Sequence, residues 1–240
     1  MKLPLLISVP HGGMNVPPEV SDICTLSKED IVADSDEGAT AIYSNLELLC
    51  EAYTTSDIAR ALIDLNRPPD DIGGDGVIKS HTCWNVPIYR NFPDEALIQA
   101  LLTRYYFPYH EKLSAGAGNN AIKLGIDCHT MSASGPPIGP DPGQPRPLVC
   151  ISNADGTCPK EWITALAGCF TSVFKDRVTI NTPFRGGYIT RSHAAEMPWL
   201  QIEISRTGTY PNEFKRDCVL EGLQRFCHTV FKEFLPWNAS

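Results

Sequence analysis

Short apolar runs alternate along this chain with longer segments of helical spacing, and this alternation constrains the fold more than any other feature. Five runs predict buried strands, at residues 5–9, 61–65, 121–127, 147–151 and 199–204. Four segments predict helices, at residues 37–52, 94–113, 159–174 and 212–234. Because parallel strands need long crossover connections, the alternation predicts an α/β fold with a mixed, mostly parallel sheet and helices on both faces.

The organisation of the chain predicts a single domain over residues 1–240, because the sequence contains no internal repeat, low-complexity tract or recognisable linker. Residues 70–76 are rich in Asp and Gly and predict a loop. Residues 132–147 are rich in Pro and Gly, which regular elements do not tolerate, and predict a long surface loop. We expect this long loop to shape a pocket.

The charge and cysteine content of the chain argue against several classes of protein. A formal net charge of -8 without a basic patch predicts no nucleic-acid partner and no anionic membrane partner. The N-terminal apolar run is too short for a signal peptide and contains Pro4, and no stretch is long enough to span a bilayer. Nine cysteines without a Cys-x-x-Cys pair predict buried thiols in a reducing compartment, so we expect a cytoplasmic protein.

Two histidines stand where predicted strands end. His11 comes just after the first run and precedes two glycines, and His129 follows the run at residues 121–127. Because functional groups gather at the carboxyl ends of strands in α/β sheets, the two imidazoles are candidates to share one metal ion. Asp127 is a candidate to accept the second N–H of the His129 ring. Histidines that only cap turns, and an Asp-capped turn, are the alternative interpretation.

Two further residues are candidates for a direct role in catalysis. Glu203 lies in an alternating stretch that puts it on the same side of a strand as Gln201 and Ser205. It is a general-base candidate if this side faces the histidines, and an ordinary exposed carboxylate if it does not. Cys128 could be the nucleophile of a thiol hydrolase, but its strand position favours a buried, inert thiol.

Six segments of the chain, taken in order, resemble the signature of the N-formylglutamate amidohydrolase family. They are residues 9–13, 34–36, 64–68, 127–131, 181–188 and 201–206. Each segment alone is a weak signal, but six in the right order are hard to produce by chance, and the resemblance covers nearly the whole chain. The family is in turn similar to the zinc carboxypeptidases. The resemblance therefore implies a zinc-carboxypeptidase-like (phosphorylase/hydrolase-like) fold.

The resemblance also implies an activity and the residues that perform it. By it, His11 and His129 bind Zn²⁺, another divalent ion being possible, and Glu203 is the base. The implied substrate is a small acidic N-acyl amino acid, with N-formyl-L-glutamate hydrolysed to formate and L-glutamate. The alternatives are a metal-independent thiol hydrolase built on Cys128 and a non-catalytic binding protein for acidic metabolites.

The third metal ligand is less directly implied. Carboxypeptidases take a carboxylate ligand three residues after the first histidine, but here that position is Met14. We expect Asp36 to be the ligand, with Glu37 and Asp34 as alternatives. A helix N-cap, where carboxylates are also favoured, could account for part of this acidic run.

Several polar residues are implied to hold the substrate carboxylates. Asn66 and Arg67 resemble the carboxypeptidase pair that grips a carboxylate, and a guanidinium suits this role because it binds a carboxylate with two parallel hydrogen bonds. Arg60 and Arg185 are candidates for a second clamp. A surface salt bridge is the alternative interpretation of Arg60, whereas Arg185 lies in a glycine-rich loop, where ligand contacts are common.

Overall fold

The computed structural model describes residues 2–232, and a six-stranded sheet forms its centre. The strands are β1 (Leu3–Val9), β2 (Cys50–Thr55), β3 (Leu124–Met131), β4 (Val149–Ser152), β5 (Val178–Ile180) and β6 (Trp199–Ser205). Their order across the sheet is β2-β1-β3-β6-β4-β5, and every neighbouring pair is parallel except β4 with β6. The carboxyl ends of β1, β3 and β6 therefore meet at one edge.

Helices cover both faces of this sheet. They are α1 (Lys28–Asp34), α2 (Ala39–Tyr43), α3 (Leu46–Leu49), α4 (Glu95–Leu101), α5 (Phe107–Ala117), α6 (Lys160–Phe174), α7 (Tyr188–Ser192) and α8 (Asn212–Phe231). A π-helical turn, Leu102–Tyr106, makes α4 and α5 one continuous helix, and short 3₁₀ helices lie at Pro18–Val20 and His193–Ala195. The predicted α/β architecture with a mixed, mostly parallel sheet is confirmed.

The two faces of the sheet pack into two separate apolar cores. On one face, α2, α6 and α8 cover side chains such as Ile7, Ile126 and Ile202, all fully buried. On the other face, α4 and α5 cover a second cluster that includes Leu6 and Trp199. Burial of this apolar surface is the main term that stabilises such a layered fold.

Local sequence explains where several of these elements begin. Ser27 caps α1 in a reciprocal capping box with Asp30, and the Asp94 side chain accepts the Leu97 N–H at the start of α4. On β3, a Cβ at Gly125 would lie 2.4 Å from the ring of Trp199, so only glycine lets β3 and this ring approach so closely. The indole thus fills the space beside the two central strands.

Some predicted elements are wrong in type or extent. Residues 61–65 form a buried turn instead of a strand, and the predicted helix at 37–52 breaks into α2 and α3 and ends in β2. β3 continues to Met131, so His129 lies inside the strand and not after it. Neither β5 nor α7 is predicted by the sequence pattern, because both are too short for a periodic signal. Among residues 2–232, no helix is long and apolar enough to cross a membrane.

Candidate metal centre and active site

Two neighbouring parallel strands carry the central polar side chains of the cleft. In their register, Asp127 of β3 lies opposite Gln201 of β6, and His129 lies opposite Glu203. Successive side chains of a strand point to opposite faces, so these four residues share one face. All four are buried. The polar side of β6 therefore faces the same cleft as the histidine of β3, as the general-base interpretation requires.

A cluster of two histidines and one aspartate forms the centre of the site. His129 Nδ1 lies 2.9 Å from Asp36 Oδ2, and His11 Nδ1 lies 3.7 Å from the same oxygen. One candidate ligand atom from each residue lies within 4.8 Å of the other two, and all three residues are buried. Two imidazole nitrogens and a carboxylate oxygen form a donor set that suits Zn²⁺ with an open coordination position.

A second carboxylate lies behind each histidine. Nε2 of His11 donates to Asp64 Oδ1 at 2.8 Å, and Nε2 of His129 donates to Asp127 Oδ2 at 2.8 Å. These bonds fix the ring orientations and leave Nδ1 of both rings directed at Asp36. Asp127 thus lies where the sequence predicted it, whereas the contact between Asp64 and His11 was not predicted, since only the folded chain brings these two residues together.

Nearby positive charge holds the Asp64 carboxylate ionised despite its burial. Burial alone would raise the pKa of Asp64, but His11, Arg67 and Arg60 outweigh it and hold the pKa well below its usual range. Lys79 adds to the same effect from a fully buried position, with Nζ 3.4 Å from Asp64 Oδ2. No sequence signal pointed to Lys79, because lysine is almost never fully buried unless it is paired.

The alternatives for the third ligand lie in different surroundings. Asp34 points away from the histidines: Lys79 Nζ lies 3.2 Å from its Oδ2, and the Cys83 N–H donates to its Oδ1 at 2.7 Å. Glu37 is exposed. Of the three candidates, only Asp36 places a carboxylate oxygen between the two imidazoles.

Glu203 is held in place by its neighbours on the polar face. Gln201 Nε2 donates to Glu203 Oε1 at 2.8 Å, and the Gly187 N–H donates to Gln201 Oε1 at 2.5 Å. Burial raises the pKa of Glu203 to about 7, although the nearby His129 acts in the opposite direction. A carboxylate with a pKa near neutrality is well matched to taking up and returning a proton.

The residues predicted to bind the substrate carboxylates all line the cleft, but they already have different bonding partners. Arg67 donates to Asp75 Oδ2 at 2.6 Å, and Arg60 donates to Asp64 Oδ2 at 3.1 Å. Arg60 therefore forms a salt bridge, as its alternative interpretation held, but a half-buried one at the back of the cleft. Arg185 is largely exposed at the rim.

Asn66 joins several parts of the site. Its Nδ2 donates to Asp127 Oδ2 at 3.1 Å, and its Oδ1 accepts the Ile189 N–H at 2.8 Å. A Cβ at Gly187 would lie 2.2 Å from Asn66 Nδ2, so the absence of a side chain there lets the loop approach the amide. Asn66 thus fixes α7 and Asp127 relative to each other.

Two further arginines, Arg146 and Arg206, line the cleft and were not predicted from the sequence as binding residues. Arg146 makes two hydrogen bonds to the Asp141 carboxylate, at 2.8 and 2.6 Å, and lies over the ring of Phe184. Arg206 follows β6 and donates from Nη1 to the Ser35 carbonyl at 2.9 Å. Arg206 belongs to the last family-like segment, so its position was visible in the sequence although its contacts were not. The cleft that these side chains line has a volume of about 280 Å³.

Comparison with known proteins identifies the family. A family model described as N-formylglutamate amidohydrolase matches residues 3–209. The chain belongs to this family. The resemblance to this family inferred from the six segments is therefore confirmed. The matched range contains the cluster of His11, Asp36 and His129, together with Glu203 and Arg206.

Relatives of this chain match it over almost its whole length. The N-formylglutamate deformylase of Pseudomonas aeruginosa is 23% identical to this chain, over 98% of this chain and 92% of the relative. The N-formylglutamate deformylase of Pseudomonas putida is 24% identical, over 99% of this chain and 94% of the relative. The crystal structure of N-formylglutamate amidohydrolase from Ralstonia eutropha JMP134 has a TM-score of 0.78 at 21% identity, covering 97% of this chain and 96% of that one. Gene product Atu2144 of Agrobacterium tumefaciens has a TM-score of 0.72 at 18% identity, covering 95% and 91%.

The thiol of Cys128 lies on the opposite face of β3 from this cleft. Cys128 is fully buried in the apolar core beneath α2 and α8, and its Sγ is directed at the Ile126 carbonyl at 3.8 Å. Burial and the neighbouring Asp127 raise its pKa well above the ordinary value. Such a thiol remains protonated and cannot reach a substrate in the cleft.

Proposed function

We propose that this member of the N-formylglutamate amidohydrolase family hydrolyses N-formyl-L-glutamate to formate and L-glutamate, using a divalent metal ion. One observation carries the proposal: His11, Asp36 and His129 converge beside the buried Glu203 in a cleft lined by arginines. The relatives of the chain that are named N-formylglutamate deformylases support the choice of substrate. Small acyl groups other than formyl, on an acidic amino acid, are the nearest alternatives within the same chemistry.

The metal that we propose is Zn²⁺, held by Nδ1 of His11, Nδ1 of His129 and a carboxylate oxygen of Asp36. The residues fit this ion because each imidazole already donates its other N–H to a carboxylate, an arrangement typical of zinc-bound histidine. When bound, Zn²⁺ would supply Lewis-acid chemistry that activates water and polarises the amide carbonyl. Other divalent ions accept the same donors and would be distinguished by metal analysis.

The side chains of the protein carry out the proton transfers in this proposal. Glu203 takes a proton from the attacking water as its oxygen joins the formyl carbon. The carboxylic acid then returns that proton to the departing nitrogen as the C–N bond breaks. Gln201 holds Oε1 of Glu203 throughout, so the carboxylate is oriented before the substrate arrives. The thiol-hydrolase alternative is disfavoured because the Cys128 side chain faces the apolar core.

The test measures bound metal and turnover on the same preparation. We expect about one equivalent of zinc per chain and hydrolysis of N-formyl-L-glutamate in preference to N-formyl-L-aspartate and N-acetyl-L-glutamate. Removal of the metal by a chelator should abolish turnover, and added Zn²⁺ should restore it. Full activity in metal-free protein would overturn the metal assignment, and bound zinc without turnover on any of the three compounds would favour a non-catalytic binding protein.

A further inference from the structure

Five arginines line the cleft, and they differ in whether a carboxylate already neutralises them. Arg60, Arg67, Arg146 and Arg185 each form an ion pair with an aspartate. Arg206 forms no ion pair with any carboxylate of residues 2–232. Within the part of the chain that the structure describes, it is the cleft arginine whose charge has no acidic partner.

The two shortest ion pairs, those of Arg67 and Arg146, leave little of either guanidinium for a ligand. Arg67 donates from Nε and Nη2 to the backbone and side chain of Asp75, at 2.7 and 2.6 Å, and from Nη1 to the Asn66 carbonyl at 3.3 Å. Arg146 uses Nε and Nη2 on the two oxygens of Asp141. A substrate carboxylate would have to break these charge-assisted bonds before it could bind either residue, and this exchange returns little net free energy.

Arg206 is anchored on one side and open on the other. Its backbone N–H donates to the Met131 carbonyl at 2.7 Å, which fixes it at the shared edge of β3 and β6. Its Nη1 donates to the Ser35 carbonyl, one residue before Asp36. Its Nε and Nη2 make no hydrogen bond to residues 2–232. The half-buried guanidinium therefore lines the same cleft as Glu203 and the two histidines, and it has donors to spare.

We propose that Arg206 is the residue that binds one carboxylate of the N-acyl dicarboxylic amino acid, and so selects acidic substrates. This inference rests on the function proposed above. A guanidinium held half-buried with free donors meets a carboxylate with two parallel, charge-assisted hydrogen bonds and gives up no existing ion pair. Arg60, Arg67 and Arg185, which the sequence predicted to bind the substrate, are already paired with aspartates of the protein. Arg206 can bind a substrate carboxylate without losing an ion pair.

The test compares three substrates that differ in one carboxylate at a time. N-formyl-L-glutamate has both carboxylates, N-formyl-L-glutamine lacks the side-chain one, and N-formyl-L-isoglutamine lacks the α-carboxylate. For Arg206→Gln we expect kcat/KM on N-formyl-L-glutamate to fall about 10- to 100-fold, mostly through KM. The same fall is expected on one of the two amides, and almost none on the amide that lacks the carboxylate bound by Arg206, because that contact is already missing.

Two variants and two physical measurements control the experiment. Arg206→Lys keeps the charge without the fork, so its loss should be smaller but follow the same substrate order. Arg225→Gln removes an exposed arginine of α8 and should leave all three rates unchanged. Zinc content and the thermal unfolding midpoint, measured for each protein, show whether the contact between Arg206 and Ser35 has a structural role at the metal site.

Each remaining outcome has a defined meaning. An equal loss on all three substrates, or a loss of zinc that parallels the loss of activity, would show that Arg206 acts through Ser35 and Asp36, and would overturn the proposal. Unchanged kinetics in Arg206→Gln would overturn it as well. In these cases the wild-type protein still hydrolyses N-formyl-L-glutamate, whereas failure of the proposed function would appear as an inactive wild-type protein.

Discussion

The two faces of β3 and β6 are made from alternating residues of the same strands, yet burial has opposite energetic effects on the side chains of each face. On one face, Cys128 and Ile202 enter an apolar core and stabilise the fold by leaving water. On the other, His129 and Glu203 are also buried, but each must have polar partners for burial to be tolerated. One face therefore supplies stability, while the other holds groups whose protonation the fold has shifted.

The largest effect should come from the polar face. Glu203→Gln preserves the shape and burial of the side chain but removes the group that accepts a proton. We expect kcat on N-formyl-L-glutamate to fall by about 10²- to 10⁴-fold, with little change in stability. Initial-rate kinetics and chemical unfolding on the same variant separate the two effects. Unchanged turnover would rule out Glu203 as the base.

The apolar face should show the opposite result. Ile202→Ala truncates a fully buried side chain one position before Glu203, and we expect it to lower the free energy of unfolding by about 2–5 kcal/mol. At temperatures where the variant remains folded, kcat should stay close to the wild-type value. Urea unfolding measures the loss. Ile180→Ala, at an exposed position of β5, is the matched control and should have little effect. A large loss of kcat in folded Ile202→Ala would show that the two faces are not separable.

The smallest effect should come from a histidine packed below the polar face. His110 on α5 donates from Nε2 to the Leu65 carbonyl at 3.1 Å. Burial, with His193 as the second cause, lowers its pKa from 6.5 to about 4. Because the folded state disfavours the charged ring, its contribution to stability is fully present above pH 6.5 and is lost as the pH falls toward 4.

His110→Asn removes this titration, so its unfolding free energy should fall less steeply than that of the wild-type protein between pH 6.5 and 4. Unfolding curves at several pH values measure the slope. His81→Asn, at an exposed histidine, should retain the wild-type slope. Parallel slopes for His110→Asn and the wild-type protein would contradict the assignment of a buried neutral ring.

The central strands and the residues at their ends could be predicted from the sequence because each carries a local signal. The apolar run at 5–9, followed by His11, and the alternation around Glu203 both report which side of a strand is buried. β2 was missed because its residues continue an apolar spacing that also fits a helix. The buried turn at 61–65 looked like a strand because an apolar run reports burial more directly than it reports backbone conformation.

The partners of the site residues could not be predicted in the same way. Asp64 lies in a family-like segment, but its bond to His11 joins residues 53 positions apart. Lys79 and Arg206 depend on which loops meet at the sheet edge, and spacing along the chain carries no information about that. Arg67 was expected to be open to a ligand, and its ion pair with Asp75 could be seen only once residues 70–76 were folded against it.

The long connection at 132–147 contributes Pro136, Ile138 and Pro140 to the wall of the cleft. The cluster of two histidines and one aspartate, and Glu203, lie outside this connection. Lengthening or rewriting this connection leaves the register of β3 and β6 intact, whereas a slip of one residue within either strand would exchange its two faces. New acyl or side-chain preferences could therefore evolve by changes in a surface loop, without passing through ancestors that had lost the ability to break the amide bond.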